Sequence, residues 1–137
     1  MAGPVIPCVG AIVKDERGRL LLIKRGHEPG AGLWSLPGGR IEPGETDAEA
    51  LIREMHEETG LVVAPGPLVG QVQRPGLNGS VIDIRDYAAT IAGGTLRAGD
   101  DAADARWVDV ADLGSLPTTD GLIEALTEWG VLGIDGC

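Results

Sequence analysis

The chain has 137 residues, 43% hydrophobic and 23% charged, which suits one domain over 1–137 and leaves no room for two. Its 11 basic and 21 acidic side chains give a formal net charge of −10. Overall repulsion of a nucleic-acid backbone speaks against a duplex-binding module, and a phosphate-bearing ligand would need a cation to mediate. No apolar stretch reaches the roughly 18 residues of a membrane-spanning helix. Pro4 and Pro7 interrupt an N-terminal apolar run that has no basic residues before it, against a signal peptide. Cys8 and Cys137 make no disulfide framework, so reduced thiols and a cytoplasmic location are expected. The first few residues and about 131–137 read as loose tails.

In chain order, Val5–Val13 is a β-prone apolar run and reads as a buried strand. The turn Asp15-Glu16-Arg17-Gly18 returns the chain as a strand over Leu20–Ile23, a hairpin. A Gly/Pro-rich loop spans 26–32, and Pro37-Gly38-Gly39 interrupts regular structure again. A helix is predicted from Thr46 to Thr59. Thr46 and Glu49 have capping-box spacing, Ala48, Leu51, Ile52 and Met55 mark one apolar face, and Gly60 supplies the stop. Strands follow at Leu68–Gln73 and Ser80–Ile91, joined through the turn signal Asn78-Gly79. A short strand at Thr95–Arg97, an acidic loop at 99–104, a strand at Arg106–Val108 and a helical turn at Val110–Leu113 come next. The last helix is predicted over Asp120–Trp129, with Leu122, Ile123, Leu126 and Trp129 facing inward. The order strands, helix, strands, helix predicts an α+β fold with a mixed sheet between helices.

The helix at 46–59 has a second face. At 100° per residue, Glu54, Glu57 and Glu58 fall within about a 100° arc. Like charges at i, i+3 and i+4 repel, and carboxylates at a helix C-terminus oppose its dipole. A solvated acidic face is the plain reading. A divalent cation would reverse both penalties, and hard oxygen ligands suit Mg²⁺ or Mn²⁺.

A longer pattern encloses these residues. Gly39, Glu45, Arg53-Glu54-Met55, Glu57-Glu58 and Gly60-Leu61 stand at the offsets G-x5-E-x7-R-E-U-x-E-E-x-G-U, with U bulky and apolar. This resembles the Nudix box at every specified position, over residues 39 to 61. The resemblance implies an α/β/α sandwich and metal-dependent hydrolysis of a nucleoside diphosphate linked to another group. Carried over by position, it implies metal ligation by Glu57, Glu58, the carbonyl of Gly39 and Glu54. Glu54 is a ligand or the general base. Arg53 is expected to hold Glu45 or Glu57 in place through its planar fork, with Glu45 and Gly60 serving the architecture of the motif.

Outside the box the residues are less specific. Lys24 and Arg25 are candidates for a phosphate contact or form a solvated strand end. Trp34 either stacks on a base or packs under the Pro37-Gly38-Gly39 turn. Tyr87 is open between base contact and core, while Trp107 and Trp129 read as core. His27 reads as a surface loop residue. His56 fills an unspecified box position, and no histidine or cysteine stands at zinc spacing. Asp100, Asp101 and Asp104 belong to a solvated turn or supply a further ligand or the base.

The expected activity is cleavage of the diphosphate linkage in nucleoside diphosphate-X compounds, with ADP-ribose or a related nucleotide sugar first. Cleavage of NTPs or oxidised dNTPs to monophosphate and pyrophosphate is the alternative. A nucleotide-binding module without turnover is more distant, since such a module would be expected to have lost box carboxylates. The expected partner is a nucleotide-type small molecule, not a nucleic-acid polymer or a membrane, and a homodimer stands open.

Overall fold

Nine strands and helices, arranged as two sheets between two α-helices, make up the regular structure of the described residues. The computed structural model describes residues 3–28, 30–99 and 102–132. Pro29, Asp100, Asp101 and Cys137 lie outside them, as does the tail expected beyond 132.

The first sheet has four strands. In spatial order they are β4 (Gly38–Arg40), β1 (Val5–Ile12), β6 (Val81–Gly94) and β5 (Leu61–Pro75). β1 runs parallel to β6 and antiparallel to β4. The second sheet orders β3 (Trp34–Ser35), β2 (Leu20–Arg25) and β7 (Ala102–Val108), all antiparallel. Helix α1 (Asp47–Thr59) packs on one face of this layer and α2 (Leu122–Glu128) on the other. One core joins Val9, Ala11, Val13, Leu21, Leu51, Met55, Leu61 and Val63 under α1. The other joins Ile12, Leu20, Leu22, Trp34, Val108, Leu113, Leu122 and Leu126 under α2. Residues of β1 and β2 alternate between the cores because successive side chains of a strand leave opposite faces.

Several expectations need correction. The first two strands do not continue as a hairpin: the antiparallel return is confined to the turn, through Asp15 N–H to Arg19 O, the Lys14–Leu20 bridge and Leu21 N–H to Val13 O (3.0 Å), and beyond it the two strands belong to different sheets. β1 is buried from Val9 to Ile12, and its neighbours are β4 and β6 instead. Gly38 and Gly39 do not interrupt regular structure; they form the edge strand β4, in register with Gly10 and Val9. Thr95–Arg97 is not a strand. It lies along the end of α1, where Arg97 N–H donates to Thr59 O (2.8 Å).

The helix itself starts on Thr46, with both bonds of the capping box present, and stops at Gly60 in the left-handed region (φ 76°). Its buried face is Ala50, Leu51, Met55 and Thr59; Ala48 and Ile52 are exposed. The sheet contacts a face rotated from the most apolar stripe. That rotation brings the flank carrying Glu54 and Glu58 against β4.

Candidate active site

The site is built where α1 crosses β4. Arg53 is its organiser. The guanidinium holds Glu45 bidentately, Nε to Oε2 at 2.7 Å and Nη2 to Oε1 at 2.8 Å. Nη1 donates to Glu54 Oε2 (3.1 Å) and to Glu57 Oε1 (3.2 Å), and Nη2 also reaches Arg40 O (3.0 Å). One planar fork thus spans three carboxylates from the loop and the helix, a geometry that a lysine cannot reproduce. The Arg53 hydrogen bonds, with one from Glu42 N–H, lower the Glu45 pKa to about 2. The same pairing pushes Arg53 further up.

β4 supplies the other wall. Glu58 Oε1 accepts from Gly38 N–H at 2.8 Å. The Glu54 carboxyl group lies directly on Gly39, where an added Cβ would stand 2.4 Å from its Cδ. Only glycine admits that approach. The last turn of α1, which carries Glu57 and Glu58, is tied down by backbone donors. Gly60 N–H bonds His56 O (3.0 Å), and Gly99 N–H bonds Glu58 O (2.9 Å). These bonds satisfy carbonyls that a helix end otherwise leaves open, and they hold the acidic turn in place against its own repulsion.

Glu45, Arg53, Glu54, Glu57, Glu58 and Gly39 are therefore neighbours. Glu57 is the most open, with its side chain 56% exposed against 16% for Glu54. Among the described residues, no group of three His, Cys, Asp or Glu side chains is disposed to hold one ion. Protein donors occupy the carboxylates instead: Arg53 draws on Glu54 and Glu57, and Gly38 on Glu58. The donor set, carboxylate oxygens beside a backbone carbonyl, nonetheless suits a hard divalent cation by its chemistry.

The residues expected outside the box disperse. Trp34 is 4% exposed in the core under α2, with the Arg106 guanidinium 4.9 Å over its ring. Its burial there is a packing position. Lys24 stands opposite Trp34 and Asp104, and Arg25 follows a shift of register with its Cδ against Gly30. Asp104 bonds Ala105 N–H and Arg106. Tyr87 lies on the α1 face, where it donates its hydroxyl to Asp47. Trp107 and Trp129 are partly buried against the two cores, and His27 and His56 are exposed.

Two features escaped the sequence reading. Arg85 clamps Asp47 at the first turn of α1, at 2.6 and 2.9 Å, and so anchors the helix to β6 across 38 positions of chain. The second is Asp86, only 5% exposed. Alternation through Ile82, Ile84 and Asp86 was a visible signal, since it put one charge on an otherwise apolar strand face.

Comparison with known proteins gives a consistent picture. The NUDIX domain pattern matches residues 4–129. An ADP-ribose pyrophosphatase of Methanocaldococcus jannaschii is 42% identical over 115 residues, 82% of this chain and 66% of that protein. A putative 8-oxo-dGTP diphosphatase of Bacillus subtilis is 40% identical over 98 residues, 71% of this chain and 62% of that protein. The chain thus spans just under two thirds of the length of each of these relatives. The crystal structure of a MutT protein from Methanosarcina mazei superposes with a TM-score of 0.83 at 26% identity, covering 94% of this chain and 95% of that one.

Proposed function

This chain belongs to the NUDIX family, and from that premise we propose that it is a divalent-metal-dependent hydrolase of the diphosphate linkage in nucleoside diphosphate-X compounds. The observation that carries the reading is the Arg53 fork, which gathers Glu45, Glu54 and Glu57 beside Gly39 while Gly38 holds Glu58.

Glu54, Glu57, Glu58 and the carbonyl of Gly39 are the groups that would hold Mg²⁺ or Mn²⁺. What the cation supplies when bound is charge neutralisation on the phosphate oxygens and a more acidic water. Glu54 takes the proton of the attacking water at a carboxylate oxygen. Its hydrogen bond from Arg53 fixes the direction of the carboxyl group. Arg53 is a positioning residue that keeps the carboxylates in one arrangement. Glu45 acts only through Arg53, and Gly60 through the end of α1. Arg25, rather than Lys24, is the candidate for a phosphate contact, because Lys24 stands beside Trp34 and Asp104.

Within this class, ADP-ribose or a related nucleotide sugar is the first reading, supported by the Methanocaldococcus jannaschii relative's name. Cleavage of a nucleoside triphosphate, oxidised dNTPs included, is the second. The Bacillus subtilis relative's name supports it.

Product chromatography with Mg²⁺ and ADP-ribose, other nucleotide sugars, NTPs and dNTPs tests the proposal. AMP with ribose 5-phosphate supports the first reading, and monophosphate with pyrophosphate supports the second. Glu57→Gln is expected to lower turnover by about 100-fold or more with an unchanged melting temperature, since a metal-ligating carboxylate on an exposed face serves chemistry and not packing. Wild-type rates in Glu57→Gln would remove that residue from the site, and no product from any compound would overturn the hydrolase reading.

A further inference from the structure

Helix α1 is turned about its axis in a way that its apolar residues alone do not select. At 100° per residue, Ala48, Ile52, Met55 and Thr59 fall within about a 60° arc, and Asp47, Leu51, Glu54 and Glu58 fall within another of about 60° beside it. The sheet meets the ground between the two arcs: Ala50, Leu51, Met55 and Thr59 are buried, while Ala48 is exposed and Ile52 is 41% exposed. A turn toward Ile52 would exchange Ala50 for the larger pair Ala48 and Ile52 at the interface, a gain in apolar burial. It would also lift Glu54 and Glu58 off β4. Some contact opposes that turn.

The opposing contact is polar and comes from β6. Strand alternation turns Asp83, Arg85 and Tyr87 to the α1 face. Arg85 holds Asp47, the first residue of α1, with Nε to Oδ2 at 2.6 Å and Nη2 to Oδ1 at 2.9 Å, and the Tyr87 hydroxyl donates to the same Oδ2. Arg85 is braced in turn. Its Nη1 reaches Asp83 Oδ2 at 3.4 Å, and Asp83 accepts from Gln71 Nε2 of β5 at 2.9 and 3.2 Å. The Arg85 hydrogen bonds hold the Asp47 carboxyl below its ordinary range, so the clamp is an ion pair at neutral pH. Two residues back, Glu45 is gripped by Arg53. Thr46 between them is fixed by both capping-box bonds, at 2.9 and 3.1 Å, and Glu42 N–H holds Glu45 Oε1 at 2.8 Å. The start of the helix therefore moves as one piece with the Glu45 carboxylate.

We propose that Arg85 is a positioning residue for the hydrolysis: by clamping Asp47 to β6 it fixes the rotation of α1 about its own axis, and so keeps Glu54 on Gly39 and Glu58 on Gly38. Its effect on turnover rests on the hydrolase reading; its effect on the helix does not. Asp47 shares an arc with Glu54 and Glu58, so holding one holds the bearing of the others. A bidentate pair resists rotation because turning the carboxylate strains both hydrogen bonds at once. Arg85 acts through the helix and not on the reacting atoms. It is level with Val9 of β1, which is level with Gly39 of β4, so two strand spacings, about 10 Å, lie between it and the site.

The test compares wild type, Arg85→Gln, Ile52→Gln and the double variant. Hydrolysis of ADP-ribose and of GTP is measured with Mg²⁺. Hydrogen exchange of the Gly38 amide, the donor to Glu58, is followed by NMR in EDTA. Arg85→Gln is expected to lower kcat by about 10-fold or more, the size of a misplaced catalytic group, and to speed exchange at Gly38. Ile52→Gln alone keeps the wild-type kcat. In the double variant a turned helix no longer buries an apolar side chain, so kcat and Gly38 protection return toward wild type, while the melting temperature stays lowered because the ion pair is still missing. A merely structural role for Arg85 gives no such recovery, since two independent losses add. Unchanged kcat or unchanged Gly38 exchange in Arg85→Gln overturns the proposal, and so does a double variant no better than Arg85→Gln. Should Arg85→Gln not fold, Asp47→Asn with and without Ile52→Gln makes the same comparison. A wild type that cleaves neither compound nor any other nucleotide overturns the hydrolase reading, and Gly38 exchange then decides the helix rotation by itself.

Discussion

Glu45 and Arg53 meet through two short parallel hydrogen bonds, although eight positions separate them in the chain. The pair is partly solvated, so its contribution to stability is modest; its larger effect is on where Glu54 and Glu57 point. A pH series exposes it. The Arg53 hydrogen bonds hold the Glu45 carboxyl down at about 2, below its ordinary 4.5. A depressed carboxylate pKa stabilises the fold above the unfolded value and loses that contribution as pH falls through the folded one. The melting-temperature gap between wild type and Glu45→Gln is therefore expected to be constant above pH 5 and to close between pH 4.5 and 2. A gap that persists unchanged to pH 2 would mean the clamp does not stabilise the fold through charge. Trp34 shows the opposite case at the same scale: an aromatic beside a glycine-rich turn suits a ligand or a core equally, and only its 4% exposure decides.

Among the elements, α1 has the most demanding ends. Its N-terminus is secured twice, by the Thr46 capping box and by the Asp47–Arg85 pair. Its C-terminus carries carboxylates where the dipole favours cations, and the segment 95–99 compensates with backbone N–H groups. Gly99 comes so close that an added Cβ would stand 1.7 Å from Glu57 O. Gly99→Ala is therefore expected to displace the last turn of α1. Turnover should fall by about 10-fold or more and the melting temperature by several degrees, the size of a misplaced catalytic group and a steric clash. Wild-type turnover and melting would show that this segment adapts without moving Glu57 and Glu58. Such packing was not legible in the sequence, where 95–99 read as a strand and a loop: a bond between Gly99 and Glu58 is a tertiary contact with no local pattern.

For the whole molecule, the net charge of −10 and the crowding of three box glutamates around Arg53, with Glu58 beside them on β4, make a cation a stabilising ligand. Anything that binds the folded chain alone raises its melting temperature by mass action. Mg²⁺ at about 100 times its Kd is expected to add about 2.7 kcal/mol, visible as a rise of several degrees over the same protein in EDTA. Identical melting curves, without activity in either, would remove the metal from the reading. Among the described residues no helix is long and apolar enough to cross a membrane. The two sheets separate the helices: α1 brings its carboxylates to the β4 edge, and α2 packs on the opposite side.

Local chemistry made the helix and its box readable from the chain alone. The cap at Thr46, the stop at Gly60 and the spacing of Arg53, Glu54, Glu57 and Glu58 all lie within a few turns, where periodicity and hydrogen-bond rules act directly. The alternation of helices and strands was enough for the layered class of fold. Pairing was not, because strand partners far apart in sequence leave no local trace. β1 was expected to turn back on β2 and instead lies between β4 and β6. The buried face of α1 was likewise set by the sheet beneath it, which left Ile52 exposed and pressed Glu54 onto Gly39. Asp86 became a buried carboxylate only when Gly10 and Gly70 paired beside it from two other strands. Burial is a property of the neighbours, and these neighbours are assembled by the tertiary fold.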